Sequence, residues 1–351
     1  MDKAGLAGYL ARAISRAPPR PSSERPMHNG LVTVFGGSGF VGRQVVRALA
    51  DAGWRIRVPM RRPHLGHELR VVGTVGQVQL MQANLRFPDS VGRALDGADA
   101  CVNLVALLFE SGNQTFEALH VDGAESIASA CAARGITNFA HISAIGADVQ
   151  SKSDYARTKA LGEERIRALV PSADILRPSI IFGEGDGFFT RFASLAQLAP
   201  ALPLIGGGKT RFQPAYVGDV ADAVATVVQR GTTGTTYELG GPRQYSFREL
   251  MAFTLDAIDK RRFLVPVPWF AAAPMGLAGE LSGKLPFVAP FLTRDQVENL
   301  KADNVVSGDH PGFAELGIAP STIEAIVPDY LERFRKYGQF HEERSPVHYR
   351  S

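Results

Sequence analysis

The stretch that decides the fold is "LVTVFGGSGFVGRQVVRALADAGW", residues 31–54. Its first five residues are apolar or β-branched and predict a buried strand. Apolar residues then recur at helical spacing after residue 39 and predict an amphipathic helix. Between the two lies a run of glycines. A strand, a glycine turn and a helix in this order are the context in which a glycine fingerprint binds a dinucleotide.

The glycine turn brings main-chain atoms close to whatever it holds, because glycine has no side chain. The following helix would add N–H groups and the positive end of its dipole, which suit a diphosphate. The spacing fits G-x-x-G-x-x-G from Gly36 or G-x-G-x-x-G from Gly37. The alternative is a plain turn, which the βαβ context argues against. The residues predicted to bind the nucleotide here are Gly36, Gly37, Ser38, Gly39, Phe40, Val41 and Gly42.

The end of the second predicted strand indicates which nucleotide is bound. Proteins that select NAD usually carry an acidic residue there, which holds the ribose 2′-hydroxyl. This chain has "MRRP" instead, and Arg61 and Arg62 would favour a 2′-phosphate. We therefore predict NADP(H) rather than NAD(H), the alternative being two solvated loop arginines. Asn84 and Leu85, after the third strand, are expected near the adenine.

The remaining chain alternates predicted strands with predicted helices up to residue 183, and the strands are apolar on both faces. Among these elements are a long helix over residues 114–134 and a sixth strand over residues 173–183. This pattern indicates an α/β fold, with a Rossmann-type doubly wound parallel sheet and a smaller C-terminal lobe. We predict a basic, flexible extension over residues 1–29 and a nucleotide-binding domain over 30–240. A C-terminal docking lobe over 241–340 and a tail over 341–351 complete the expected organisation.

Composition excludes several classes of function. The net charge of +3 is small, and no basic run is interleaved with aromatic residues, so we expect no nucleic-acid partner. Cys101 and Cys131 are expected to be buried thiols, and no cluster of Cys and His has metal-ligand spacing. No apolar run is long enough to predict a membrane-spanning helix.

Two segments leave alternatives open. Residues 263–292 are apolar but interrupted by prolines and charges, which predicts a buried cover, a docking surface or a segment at a bilayer surface. We expect the buried cover. Residues 1–29 carry an excess of basic residues and an apolar stripe. There we expect a flexible tail, with a transit-like peptide or an interfacial helix as alternatives.

A tyrosine and a lysine in "SDYARTKALGEE", residues 153–164, are the candidate catalytic pair. Tyr155 and Lys159 are four residues apart, hence on one face of a predicted helix. Ser143 ends the fifth predicted strand. Lys159 would lower the pKa of Tyr155 and bind the nicotinamide ribose. Tyr155 would exchange a proton with a carbonyl or alcohol, whose oxygen Ser143 would hold. A tyrosine four residues before a lysine is common by chance. The position of this pair after the fifth predicted strand makes it a more specific sign of a catalytic site.

The chain resembles short-chain dehydrogenases/reductases of the extended or atypical type. The motifs that carry the resemblance are "FGGSGFVG", "NLVAL", "HISAIGAD", "YARTKALGE", "LRPSIIFGEGDGFF" and "FQPAYVGDVADAV". Within that superfamily it is most similar to the NADPH-binding accessory subunits of respiratory complex I (NADH:ubiquinone oxidoreductase) and their bacterial relatives. "HISAIGADVQSKSDYARTKALGEE" and "RPSIIFGEGDGFFTRFASL" carry this closer likeness, which covers residues 31–230 well.

The resemblance implies a nucleotide that is held tightly in a structural role, without turnover. It implies complex I as the protein partner, with possible peripheral membrane contact. The expected location is the cytoplasmic face of a bacterial inner membrane, or the matrix side in a mitochondrion. It also implies cofactor contacts from Val105 and Ala106, and from the backbone of Pro178, Ser179 and Ile180 beside the nicotinamide.

Three further residues are interpreted within the resemblance. His120 stands where extended-type relatives often have asparagine, and we expect a satisfied, partly buried side chain. Tyr216 and Asp219 are expected to fix a helix start, with Asp219 as its cap.

The functional hypotheses are therefore three. The first is an NADPH-holding structural or assembly subunit of complex I. The second is an active NADPH-dependent reductase, or an NAD-dependent epimerase or dehydratase. The third is a nucleotide sensor without catalysis, which the intact tyrosine–lysine pair argues against.

Overall fold

The computed structural model describes residues 30–283, 292–336 and 338. Its centre is a parallel seven-stranded sheet with the order β11-β6-β5-β4-β1-β2-β3. The strands of this sheet are β1 (Leu31–Phe35), β2 (Arg55–Met60), β3 (Val78–Gln82), β4 (Ala100–Asn103), β5 (Asn138–Ile142), β6 (Asp174–Pro178) and, further along the chain, β11 (Thr236–Leu239). The strand order reverses beside β1, which opens a crevice at the carboxyl edge. The predicted doubly wound α/β fold is confirmed.

Helices cover both faces of the sheet, because each strand sends apolar side chains to both sides. On one face lie α1 (Phe40–Asp51) and α6 (Val217–Arg230), and on the other α2 (Pro88–Leu95), α3 (Asp122–Ala132) and α4 (Asp154–Leu169). In β5, Ala140 and Ile142 belong to the first apolar core and Phe139 to the second. The polar residues His141 and Ser143 are buried on or just after this strand, at the edge where the site lies.

The C-terminal lobe is built from short paired strands and helices around a third apolar core, beside a smaller fourth cluster of Ile205, Ala272, Leu292 and Val297. The strand pairs are β7 (Ile181–Phe182) with β10 (Ala215–Tyr216), β8 (Ala201–Ile205) with β13 (Phe263–Val267), and β9 (Arg211–Phe212) with β12 (Tyr245–Ser246). The helices are α5 (Phe189–Leu198), α7 (Phe247–Ala257), α8 (Trp269–Gly283), α9 (Arg294–Asn299) and α10 (Ile323–Leu331). Helices α7 and α9 both begin with a capping box, which fixes where they start.

Three elements differ from the sequence prediction. The sixth strand was expected to run on through residue 183, but β6 ends at Pro178 and β7 pairs in another sheet. Strand β11 joins the main sheet although its four residues give too short a pattern to predict it. The helix predicted over residues 114–134 begins instead with a π-helical turn at Glu117–Val121, followed by α3.

The apolar segment after residue 262 is not a buried cover, so that expectation is wrong for its described part. Phe263 in β13 is 77% exposed and Phe270 in α8 is 82% exposed, and Val265, Met275 and Leu277 are exposed as well. Among the described residues, strand β13 pairs only with β8 in a two-stranded sheet, and its face that carries Phe263 and Val265 is exposed. Residues 284–291, like the predicted extension at 1–29 and the tail at 341–351, lie outside the described residues.

Within the part of the chain that the structure describes, no helix is both long and apolar enough to cross a membrane.

Candidate active site at the carboxyl edge of the sheet

The glycine turn between β1 and α1 is packed too closely for side chains. A Cβ on Gly42 would lie 2.1 Å from the carbonyl oxygen of Gly36, and one on Gly36, whose φ is +80°, would lie 3.0 Å from Leu104. Gly39 is the N-cap of α1 and brings no side-chain acceptor to the first helical turn. The N–H groups of the first helical turn therefore have no side-chain cap, as the binding of a diphosphate would require.

The residues predicted to select the nucleotide lie at the same edge. Arg61 and Arg62 follow β2 directly and are exposed, and Arg61 donates a 3.3 Å hydrogen bond to Gln114. Asn84 follows β3 and accepts a hydrogen bond from the backbone of Arg86. Leu85 is half-buried and packs on the core beneath α3. Their neighbouring positions are compatible with the prediction that they surround the adenosine half of a dinucleotide.

Ser143 and Lys159 meet at the end of β5. The ammonium of Lys159 is buried and donates to the carbonyl of Ile142 at 2.9 Å, one residue before Ser143. The hydroxyl of Ser143 is buried and has no hydrogen-bond partner among the described residues. A buried hydroxyl without a partner is costly, so this hydroxyl is available to bind a ligand. Tyr155 lies one turn before Lys159 in α4, and His120 lies near both, with its ring edge-on to Tyr155 and its pKa affected by the charge of Lys159.

The electrostatics of the pair differ from the expectation that Lys159 lowers the pKa of Tyr155. Burial raises the pKa of Tyr155 to about 12, and the carboxylate of Asp295 contributes in the same direction. Burial also lowers the pKa of Lys159 to about 8, against an opposing effect of Glu163. In this state Tyr155 is a neutral phenol at neutral pH, able to donate a hydrogen bond or a proton but poorly suited to act as a base.

His120 is buried and connects the loop after β4 to helix α4. Its Nε2 accepts a hydrogen bond from the N–H of Leu107 at 3.0 Å, so the ring proton is assigned to Nδ1, which lies 3.0 Å from the hydroxyl of Thr158. Burial, followed by the charge of Lys159, lowers the pKa of His120 to about 2, so the ring is neutral. The ring lies edge-on to Tyr155 with centroids 5.5 Å apart. The expectation of a satisfied side chain is met, with deeper burial than expected.

The remaining predicted cofactor contacts come from two loops. Val105 donates its N–H to the side chain of Asn103 at 3.1 Å, and Ala106 is exposed beside it. The backbone of residues 178–180 is largely engaged. The Pro178 carbonyl accepts from Ile145, the Ser179 N–H donates to Leu239, and the Ile180 carbonyl accepts from Ala215. A cofactor contact to residues 178–180 is therefore restricted to the groups that these hydrogen bonds do not use.

The expected role of Asp219 as a helix cap is wrong. Helix α6 begins at Val217 with Tyr216 as its N-cap, and Asp219 lies inside the first turn. Its carboxylate instead accepts hydrogen bonds from the N–H and the hydroxyl of Ser321, at 2.6 and 3.1 Å. Residues this distant in sequence leave no local pattern, so the sequence could not predict the contact.

Two residues from the C-terminal segment also reach the site and were missed. Asn304 accepts a hydrogen bond from the Ser179 hydroxyl at 2.7 Å and donates to the Ile145 carbonyl at 3.2 Å. Asp295 accepts from the N–H groups of Asp154 and Tyr155, at 2.6 and 3.3 Å. The capping-box sequence "TRDQ" marks the start of α9. It does not indicate what α9 contacts.

Taken as a set, these residues fit a dinucleotide. The glycine turn offers N–H groups to a diphosphate and exposed guanidinium groups lie after β2. A buried ammonium and a buried hydroxyl with no partner among the described residues lie at the end of β5.

Comparison with known proteins agrees with this geometry. Residues 32–240 match the model of the NAD dependent epimerase/dehydratase family. The NADH dehydrogenase [ubiquinone] 1 alpha subcomplex subunit 9, mitochondrial, of Mus musculus is 33% identical over 324 residues, which is 91% of this chain and 84% of that protein. A ceramide reductase of Caulobacter vibrioides is 31% identical over 241 residues, 68% of this chain and 74% of that protein.

The fold is shared with solved structures at lower identity. The NADPH-dependent quinone oxidoreductase QOR2 of Escherichia coli, complexed with NADPH, has a TM-score of 0.67 and 19% identity, covering 84% of this chain and 97% of that one. The family match spans the glycine turn, the arginines after β2 and the serine, tyrosine and lysine described above. The chain therefore belongs to the NAD dependent epimerase/dehydratase family of NAD(P)-binding proteins.

Proposed function

We propose that the protein holds NADP(H) as a structural or assembly subunit of respiratory complex I. The observation that carries the proposal is the likeness to the mouse complex I subunit, 33% identity over 91% of this chain, against 31% identity over 68% for the ceramide reductase. Because this likeness covers 91% of the chain, most of the predicted C-terminal lobe over residues 241–340 falls within it. That lobe carries Asp295 and Asn304, which reach the site.

The chain's own residues would hold the dinucleotide at four points. The N–H groups of the glycine turn would bind the diphosphate, and Arg61 and Arg62 the 2′-phosphate. Lys159 would donate to the nicotinamide ribose, and Tyr155, as a neutral phenol, would donate a further hydrogen bond. When bound, the nucleotide supplies a hydride donor or acceptor. A structural role requires only that these groups bind the nucleotide.

The exposed apolar residues of β13 and α8 would form the docking surface of the protein. Phe263, Val265, Phe270, Met275 and Leu277 are large, apolar and exposed within one short segment. Exposed patches of this kind commonly mark contacts with other proteins or with membranes. We propose that they contact complex I subunits beside the membrane, on the cytoplasmic face in a bacterium or the matrix side in a mitochondrion.

The test is recovery of the tagged protein from native membranes, with identification of what accompanies it. We expect complex I subunits with the wild-type chain and with Tyr155→Phe, because proton transfer is not needed for docking. We expect their loss with Phe263→Asp combined with Phe270→Asp. Asp309→Asn, at an exposed position in a different part of the fold, is the matched control. Absence of complex I subunits from the wild-type sample would contradict the proposal.

A second candidate function is an NADPH-dependent reductase, or an epimerase or dehydratase. The observation that favours it is the intact set of Ser143, Tyr155 and Lys159, with Tyr155 protonated. In a reduction the neutral phenol would give its proton to the carbonyl oxygen that Ser143 holds. A carbonyl-dependent loss of NADPH absorbance that Tyr155→Phe abolishes would favour this candidate over the structural role.

A further inference from the structure

Helix α9 lies across two elements that flank the candidate nucleotide site. On one side Asp295 contacts the start of α4, which carries Tyr155 and Lys159. On the other side the Nε2 of Gln296 donates to the carbonyl of Leu108 at 3.3 Å, in the loop that follows Val105 and Ala106. The helix thus bridges the catalytic helix and the loop after β4.

The contact with α4 is made by a carboxylate at the positive end of a 16-residue helix. Asp295 accepts from the N–H groups of Asp154 and Tyr155 and, at 3.0 Å, from the hydroxyl of Ser153. Ser153 is itself the N-cap of α4, accepting from Ala156. Charge-assisted hydrogen bonds to a helix N-terminus are among the stronger surface contacts, so this one holds two distant parts of the chain together.

Helix α9 also packs closely against α8. A Cβ on Gly279 would lie 1.9 Å from the carbonyl oxygen of Leu292, and one on Gly276 would lie 2.8 Å from the nitrogen of Arg294. Glu280 accepts hydrogen bonds from the backbone and the side chain of Arg294, both at 2.9 Å. A short helix held this closely on one side moves as a unit with its support rather than fraying alone.

We propose that helix α9 is a latch over the dinucleotide site and that Asp295 is the positioning residue that keeps it closed. The bound nucleotide does not need to touch Asp295. Exchange of the nucleotide requires α9 to lift from α4 and from Leu108. This inference rests on the proposed nucleotide-holding function and deepens it, because it gives a physical cause for slow exchange.

The test is the kinetics of NADPH binding to the full chain, followed by nucleotide fluorescence during mixing and during a chase with excess NADP. In Asp295→Ala the association and dissociation rate constants should both rise about tenfold, while Kd changes little, since the latch is a barrier and not a contact. Asp295→Asn keeps an acceptor for the helix N-terminus and should lie between. Glu298→Gln, on the same helix but paired with Lys301, is the matched control and should leave both rates unchanged.

A second variant covers the case in which Asp295→Ala does not fold. Gln296→Glu keeps the capping box of α9 but removes the donor to Leu108, so it should speed association and dissociation in the same way. Unchanged rates in the folded variants, or a rise in dissociation alone with a weaker Kd, would overturn the latch while leaving nucleotide binding intact. Wild-type protein that binds no NADPH would overturn the proposed function and the latch together.

Discussion

Lys159 shows at the residue scale how a buried charge indicates function. It is only 2% exposed, and the structure gives it one backbone acceptor, the carbonyl of Ile142. Burying an ammonium with so few partners is unfavourable unless a ligand completes its hydrogen bonds. The tyrosine–lysine spacing predicted that both residues lie in one helix, and α4 contains them both. The raised pKa of Tyr155 was not predictable, because its main cause is burial by tertiary packing and its second, Asp295, lies 140 residues further along the chain.

Lys159→Met should stabilise the nucleotide-free protein near pH 7. The pKa of Lys159 is lowered from 10.5 to about 8 by burial. Below pH 8 both the folded and unfolded states carry the proton, and the buried charge costs on the order of 3 kcal/mol. Between pH 8 and 10.5 the unfolded state binds more protons, so the wild type gains stability as pH rises. The variant lacks this gain.

The measurement is the free energy of unfolding of both chains from pH 7 to 10.5, after removal of nucleotide. The difference between them should shrink as pH rises. Lys152→Met, at an exposed lysine nearby, is the control and should show no such trend. A less stable Lys159→Met at pH 7 would contradict the prediction.

Arg61→Ala and Arg62→Ala should each weaken NADPH binding by roughly 10- to 100-fold and leave NADH binding nearly unchanged, because each removes a charge-assisted contact to the 2′-phosphate. Isothermal titration with both nucleotides measures this. Arg70→Ala, an exposed arginine in the following loop, is the control. Equal losses for NADPH and NADH would show that the arginines do not read the 2′-phosphate.

At the scale of elements, apolar periodicity predicted the long strands and helices well because each buries a regular face. It missed β11, which has four residues, and the end of β6 at Pro178, where two sheets meet. The π-helical turn at Glu117–Val121 was also missed. It is stabilised by contacts from other elements, such as the Leu107 and Thr158 bonds of His120, which no local pattern encodes.

Gly162→Ala should destabilise the protein although alanine favours helices by about 1 kcal/mol over glycine. A Cβ at residue 162 would lie 2.2 Å from the carbonyl oxygen of His120, so α4 and the π-helical turn must separate. We expect a net loss of about 1–3 kcal/mol, as for other overpacked cores. The midpoint and slope of urea unfolding give the value.

The matched control is Gly92→Ala, also within a helix. There the new Cβ would meet only the tip of the Arg134 side chain, at 2.9 Å, which can move aside. It should be neutral or stabilising. If Gly162→Ala proved as stable as this control, the close packing of α4 against the π-helical turn would not be required for the fold.

At the scale of the whole molecule, the C-terminal segment ties the two lobes together. Phe313 and Leu316 are buried in the core beneath β1 and α6, whereas Ile323, Val327 and Leu331 are buried in the core of the C-terminal lobe. The sequence predicted the α/β fold and a smaller lobe after it. It could not predict that residues 313–331 pack in both cores, because long-range packing leaves no periodic signal in the sequence.

A chain ending at residue 291 should therefore fail to fold stably. It would lose seven buried apolar side chains, each contributing about 1.5–3 kcal/mol, which together reach the stability of a typical domain. Circular dichroism and thermal unfolding would show loss of the cooperative transition. A chain ending at residue 338 keeps all of these side chains and serves as the control. A cooperative transition in the shorter chain would mean that the nucleotide-binding part folds alone.

The central claim, that this chain holds NADP(H), is tested most directly by denaturing the freshly purified protein and identifying the nucleotide it releases. The account predicts NADP or NADPH in near-stoichiometric amount, since Arg61 and Arg62 provide for the 2′-phosphate. Release of NAD or NADH would contradict the role given to the arginines. A protein that releases no nucleotide and binds none on titration would contradict the claim itself.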